Sequence, residues 1–105
     1  MDRQKSLTKE LALFKKRLSK KMPIDKMIFF GSRAIGKAKK YSDVDLIIVS
    51  KKFNKKKFHQ RPIKLYDDWN LDYPVDFLCY TPREFNKLKN KICIVQQAIL
   101  EGIVI

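Results

Sequence analysis

Leu7, Leu11, Phe14 and Leu18 recur three to four residues apart among lysines and other polar residues. That spacing stacks apolar side chains on one side of a helix and predicts an amphipathic helix to about Lys21, ended by Pro23. The pattern then changes. Met27-Ile28-Phe29-Phe30 is a short apolar run that predicts a first strand over about Lys26 to Phe30. Leu46-Ile47-Ile48-Val49 predicts a second over about Val44 to Ser50, and its unbroken apolar run implies burial on both faces, hence a central strand. Between them, a short helix is expected near Arg33 to Lys37. Lysine-rich 51–60 reads as a mobile loop. Pro62 can open a helix through Trp69, with Ile63, Tyr66 and Trp69 on one side, most simply as core. Val75 to Tyr80 predicts a third strand. Thr81-Pro82-Arg83-Glu84 is a capping box with proline at the first helical position. A last helix is expected over about Ile92 to Leu100, stopped by Gly102, with Ile103-Val104-Ile105 as a short strand. The alternation implies an α/β fold, a small mixed β-sheet with helices packed on it. The 105 residues fit one domain, 1–105, with the helix of 1–22 set ahead of a core over 25–105.

The segment between the first two strands carries the candidate chemistry. Gly31 can take backbone conformations that a Cβ forbids and lets a ligand approach closely. Ser32 adds a hydroxyl, and free N–H groups after it at a helix start would favour a phosphate. Taken alone, Gly31-Ser32 is a weak signal and more often an ordinary strand-to-helix turn. The second strand opens on Asp43-Val44-Asp45, and residues two apart in a strand share a face. Two close carboxylates repel unless a cation or proton lies between them. Oxygen-only ligands suit Mg²⁺, held by one or two carboxylates plus substrate phosphates. Taken alone, Asp43 and Asp45 also fit a solvated acidic turn. Asp76 is a third carboxylate, set within the apolar run of the third strand. If that strand lies beside the second, the three converge; otherwise Asp76 sits at the exposed start of an edge strand.

Gly31-Ser32, Gly36 and Ser42-Asp43-Val44-Asp45-Leu46, with Asp76 on a later strand, resemble the DNA polymerase beta nucleotidyltransferase superfamily. The nearest likeness is to its minimal nucleotidyltransferases, single-domain prokaryotic members of the kind paired with HEPN-domain toxins. It covers roughly residues 25–105 and includes Tyr80 to Phe85 and Leu100 to Val104. The chain departs from the pattern at Ile35, where many members carry a basic residue. The resemblance implies a polymerase-beta-like core that binds a nucleoside triphosphate, ATP by default, with Mg²⁺. It implies that Gly31, Ser32, Arg33, Gly36 and Ser42 form the phosphate-binding part. Asp43, Asp45 and Asp76 would hold two Mg²⁺ ions and carry the catalysis. The implied activity is transfer of AMP to an acceptor hydroxyl on a partner protein, as the antitoxin of a HEPN-domain toxin. An RNA or small-molecule acceptor, and a non-catalytic toxin-binding module, are the alternatives.

Charge adds one more feature. The formal net charge is +13, with eight of 24 lysines and arginines in residues 1–22 and seven in 51–65. Such a balance draws anions and leaves RNA open as a partner, although the same runs also read as a solvated face. Phe53 and Phe58 flank the densest run, Lys55-Lys56-Lys57. Cys79 and Cys93 lie on apolar stretches and read as small buried hydrophobes. His59 is the one histidine, so no histidine-based triad is available. No apolar stretch has the length of a membrane span, and the first residues lack the apolar core of a signal peptide. A cytoplasmic protein is expected, with room for homo- or hetero-oligomers.

Overall fold

The computed structural model describes residues 3–39 and 42–105. Met1, Asp2, Lys40 and Tyr41 lie outside the described residues, as do the ends of the expected segments that fall on them. Four strands form one sheet in the order β3-β2-β1-β4, from β1 (Lys26–Phe30), β2 (Val44–Val49), β3 (Val75–Tyr80) and β4 (Ile103–Val104). β1 runs antiparallel to β2 and to β4, while β2 and β3 are parallel. The sheet is therefore mixed, and β2 is a central strand as its apolar run implies.

Alternation along the strands gives each face its own core. Met27, Phe29, Leu46, Ile48, Phe77 and Cys79 face one side. Helix α1 (Arg3–Ser19) covers that side with Leu7, Leu11, Phe14 and Leu18, all buried. Ile28, Phe30, Ile47 and Val49 face the other side, packed with Phe85 of α2 (Pro82–Leu88) and with Val95 and Ala98 of α3 (Ile94–Glu101). The capping box at α2 forms as expected: Thr81 Oγ1 accepts from Glu84 N–H, and Thr81 N–H donates to Glu84 Oε1 at 2.8 Å. At Gly102 a Cβ would overlap the Ala98 carbonyl and the Ile28 side chain. Glycine thus lets α3 hand the chain to β4 close against β1.

Three local expectations are corrected. Residues 33–37 form a single turn, not a helix. Ile35 N–H reaches the Gly31 carbonyl, but Lys37 N–H returns to Ser32 O at 2.8 Å, with Gly36 at φ +76°. That six-to-one bond with a left-handed glycine is a helix stop, so the helix ends after its first turn. Residues 63–68 form a 3₁₀ helix, and Leu65 is the side chain it buries. Ile63 and Tyr66 stay exposed, while Trp69 is partly buried against Phe14 and Phe77. Residues 51–60 carry 3₁₀ turns at Lys51–Phe53 and Phe58–Gln60, with Phe53 buried in the core. The last helix also starts at Ile94, leaving Ile92 exposed. Cys79 is buried and Cys93 partly so; both are free thiols, and burial pushes the Cys79 thiol up to about 12.

Candidate active site

Parallel pairing of β2 with β3 sets Asp45 directly opposite Asp76. Partners in register share a face, so both carboxylates stand on the side of Ile47 and Val49. Val44 N–H donates to Pro74 O at 2.8 Å, which fixes this register at the start of both strands. Asp43 precedes β2 and lies two residues from Asp45, on the same side by alternation. Asp43 and Asp76 are exposed, while Asp45 is half-buried. The Asp45 carboxyl is pushed up to about 6, first by burial and then by the charges of Asp76 and Asp43. Each of these effects disfavours a second negative charge and is relieved by a cation or a proton. Among the described residues, no three His, Cys, Asp or Glu side chains are grouped closely enough to hold a metal ion by themselves. What Asp43, Asp45 and Asp76 offer is oxygen ligands alone, the kind a hard cation takes together with substrate oxygens.

The turn after β1 seats this group. Phe30 pairs with Asp45, so the chain turns at Gly31 beside that carboxylate. Gly31 has φ +84°, and a Cβ there would overlap Asp45 Oδ2. Glycine is therefore required twice, for the backbone angle and for the space. Gly36 also has positive φ but faces open space, so its role is the turn itself. Ser32 is half-buried at the turn, and its carbonyl accepts from Lys37 N–H. Arg33 Nε donates to Ser42 O at 2.7 Å, and its guanidinium lies 4.6 Å from the centre of the Tyr73 ring. Ser42 Oγ accepts from Lys39 N–H at 2.8 Å. Arg33 and Ser42 thus tie the glycine turn to the acidic segment.

Residues 11–101 match the family described as nucleotidyltransferase domain. The chain belongs to that family. This nucleotidyltransferase is also 35% identical over 92 residues to the Haemophilus influenzae protein named "Probable protein adenylyltransferase MntA", covering 86% of this chain and 81% of the relative. It is a minimal nucleotidyltransferase of the DNA polymerase beta superfamily. Its fold is similar to a Sulfolobus solfataricus protein assigned as a nucleotidyltransferase and solved by crystallography at 1.40 Å. That likeness has a TM-score of 0.67 at 19% identity and covers 96% of this chain and 80% of the other.

Two tyrosines of the nucleotidyltransferase border the site without having been singled out for it. Tyr66 is 47% exposed and packs edge-on against Phe77. Its phenol is raised, first by burial and then by Asp76, with smaller effects of Cys79 and Asp43. Tyr73 lies beneath Arg33, and Trp69 Nε1 donates to the Tyr73 carbonyl at 2.8 Å. The only sequence signal for either was its place in the stretch leading to Asp76. No helix among the described residues is long and apolar enough to cross a membrane.

Proposed function

We propose that the protein transfers AMP from ATP to an acceptor hydroxyl on a partner protein. The observation that carries this is the pairing of Asp45 with Asp76 beside Asp43, against a left-handed glycine whose missing Cβ leaves room for the Asp45 carboxylate. The relative named as a protein adenylyltransferase supports a protein acceptor. Asp43, Asp45 and Asp76 would hold Mg²⁺, a fit supported by their oxygen-only chemistry and by the raised Asp45, which calls for a cation. When bound, the ion would neutralise phosphate charge and lower the pKa of the acceptor hydroxyl. Ser32 and the first N–H groups of the turn would hold the outer phosphates. The acceptor oxygen bonds to the α-phosphorus as the bond to the bridging oxygen of the β-phosphate breaks. Pyrophosphate leaves, and the Asp76 carboxylate takes the acceptor proton. Arg33 and Tyr73 keep the turn and the acidic segment in place.

The acceptor is brought by its own protein, and a HEPN-domain protein is the partner the family resemblance points to. Purified protein incubated with α-labelled ATP, Mg²⁺ and such a partner should label the partner. Asp43→Asn and Asp76→Asn should abolish labelling with melting temperature retained. ATP binding without label on any protein would sink the protein acceptor; full activity in either variant would sink the assigned roles.

A further inference from the structure

We propose that the 51–61 segment is a second binding surface, for single-stranded nucleic acid, separate from the transfer site. The segment leaves β2 at the end opposite the carboxylates. Asp45 and Ser50 are five residue steps apart, roughly 17 Å at the usual strand rise. No acidic residue occurs between Asp45 and Asp67, while Lys51, Lys52, Lys55, Lys56, Lys57, Arg61 and Lys64 all do. The five lysines of 51–57 are exposed.

A solvated lysine loop needs no architecture, but this one is held throughout. Phe53 anchors it in the core, and Ser50 Oγ accepts from Lys52 N–H at 3.1 Å. The buried Arg61 donates to Lys56 O at 3.1 Å, to Cys79 O, and to both carboxylate oxygens of Glu84. Glu84 is thereby occupied and does not offset the lysines. The segment also presents an aromatic ring beside them. Phe58 follows Lys57 directly and is 47% exposed. Its ring is 5.4 Å from that of Tyr80, and Arg61 lies 5.8 Å from its centre. An apolar ring kept half in water, fixed by a second ring and backed by a cation, is what a nucleobase stacks on. Exposed lysines beside it suit the phosphates of the same strand. A duplex hides its base faces, so the rings select an unpaired strand.

The inference does not depend on the transfer reaction, and binding alone tests it. The probe is a short fluorescein-labelled oligoribonucleotide of mixed sequence, read by anisotropy across a salt series. The same strand annealed to its complement, and polyglutamate as competitor, report on charge alone. Combined Lys55→Ala, Lys56→Ala and Lys57→Ala should lower the slope of log affinity against log salt by about 2. Phe58→Ala should weaken single-strand binding about 5- to 150-fold and leave that slope unchanged. Phe58→Leu, which keeps an apolar side chain against Tyr80 and so guards the fold, should weaken it as well, and Phe58→Tyr should restore it. Transfer activity should persist in the lysine variant. Equal binding of duplex, or displacement by polyglutamate with no effect at Phe58, would overturn the proposal. Displacement of the strand by Mg-ATP at constant ionic strength would do so too, by placing it at the carboxylates.

Discussion

Asp45 carries a charge that its surroundings oppose, and that opposition is measurable. Its folded-state pKa, about 6, lies above the ordinary 3.8. A raised carboxyl contributes its stability below the unfolded value and loses it as pH rises through the folded one. Metal-free protein should therefore gain melting temperature on Asp45→Asn well above pH 6, with the gain fading as pH approaches 4. Mg²⁺ should raise the melting temperature of the native protein, since a ligand of the folded state stabilises it, and leave the variant unmoved. A variant that melts lower than the native protein in chelator above pH 6 would show that Asp45 is not repelled. The two turn glycines make a sharper contrast. Ala at either must adopt a left-handed backbone, at about 1–2 kcal/mol. At Gly36 nothing else stands in the way, whereas at Gly31 the new methyl overlaps Asp45. Gly36→Ala should lose roughly that strain in urea unfolding and keep measurable transfer. Gly31→Ala should unfold more easily still and transfer no label.

Elements meet at Arg61 and Glu84, which join the lysine-rich segment to the start of α2. Glu84 closes the capping box through Thr81 N–H and also grips the buried guanidinium at 2.6 Å. Hydrogen bonding to Arg61 is the chief reason its carboxyl is held below the usual range. Such a group contributes stability above the unfolded carboxylate pKa and loses it as pH falls through its own. Glu84→Ala, which strands the Arg61 charge, should cost about 1–3 kcal/mol, less than for a fully buried pair because Glu84 is partly exposed. Glu84→Gln can keep the cap and should cost less, and its stability should fall less steeply in acid than that of the native protein. Equal costs for the two substitutions in urea unfolding would remove the ion pair from the account. The capping box was legible from sequence because its partners are three residues apart, and the strands because buried runs are continuous. Arg61 was not, since its partner is 23 residues away and only the fold brings them together. The helix of 63–68 is 3₁₀ and buries Leu65, a face that spacing does not reveal because apolar residues three apart suit either helical period. The site divides the same way. Local pattern puts Gly31, Asp43 and Asp45 in one short unit, but Asp76 joins them only through the parallel pairing of β2 with β3, and the tying role of Arg33 depends on Ser42 and Tyr73, from two other segments.

At the scale of the whole molecule the sheet is polarised, with carboxylates at one end of the parallel pair and the lysine segment at the other. What keeps both ends in place is burial on both faces, and this bears on the division drawn at residue 22. The sequence pattern sets the helix of 1–22 ahead of a core over 25–105 within one domain. In the structure Leu7, Leu11, Phe14 and Leu18 are the cover of one sheet face, packed with Met27, Phe29, Leu46, Ile48 and Phe77. Phe14 alone meets the rings of Trp69 at 5.1 Å and Phe77 at 5.9 Å. Burying a Leu or Phe side chain stabilises by about 1.5–3 kcal/mol. Four such residues therefore contribute about as much as the roughly 5–15 kcal/mol that keeps a domain folded. A chain beginning at Asp25 should show no cooperative thermal transition by circular dichroism, and Phe14→Ala in the full chain should lose about 3–5 kcal/mol in urea. The two belong together, because Phe14→Ala separates loss of cover from loss of chain. If the shortened chain melted cooperatively and still bound Mg-ATP, α1 would be an appendage, and the face it hides would need another explanation for its apolar residues.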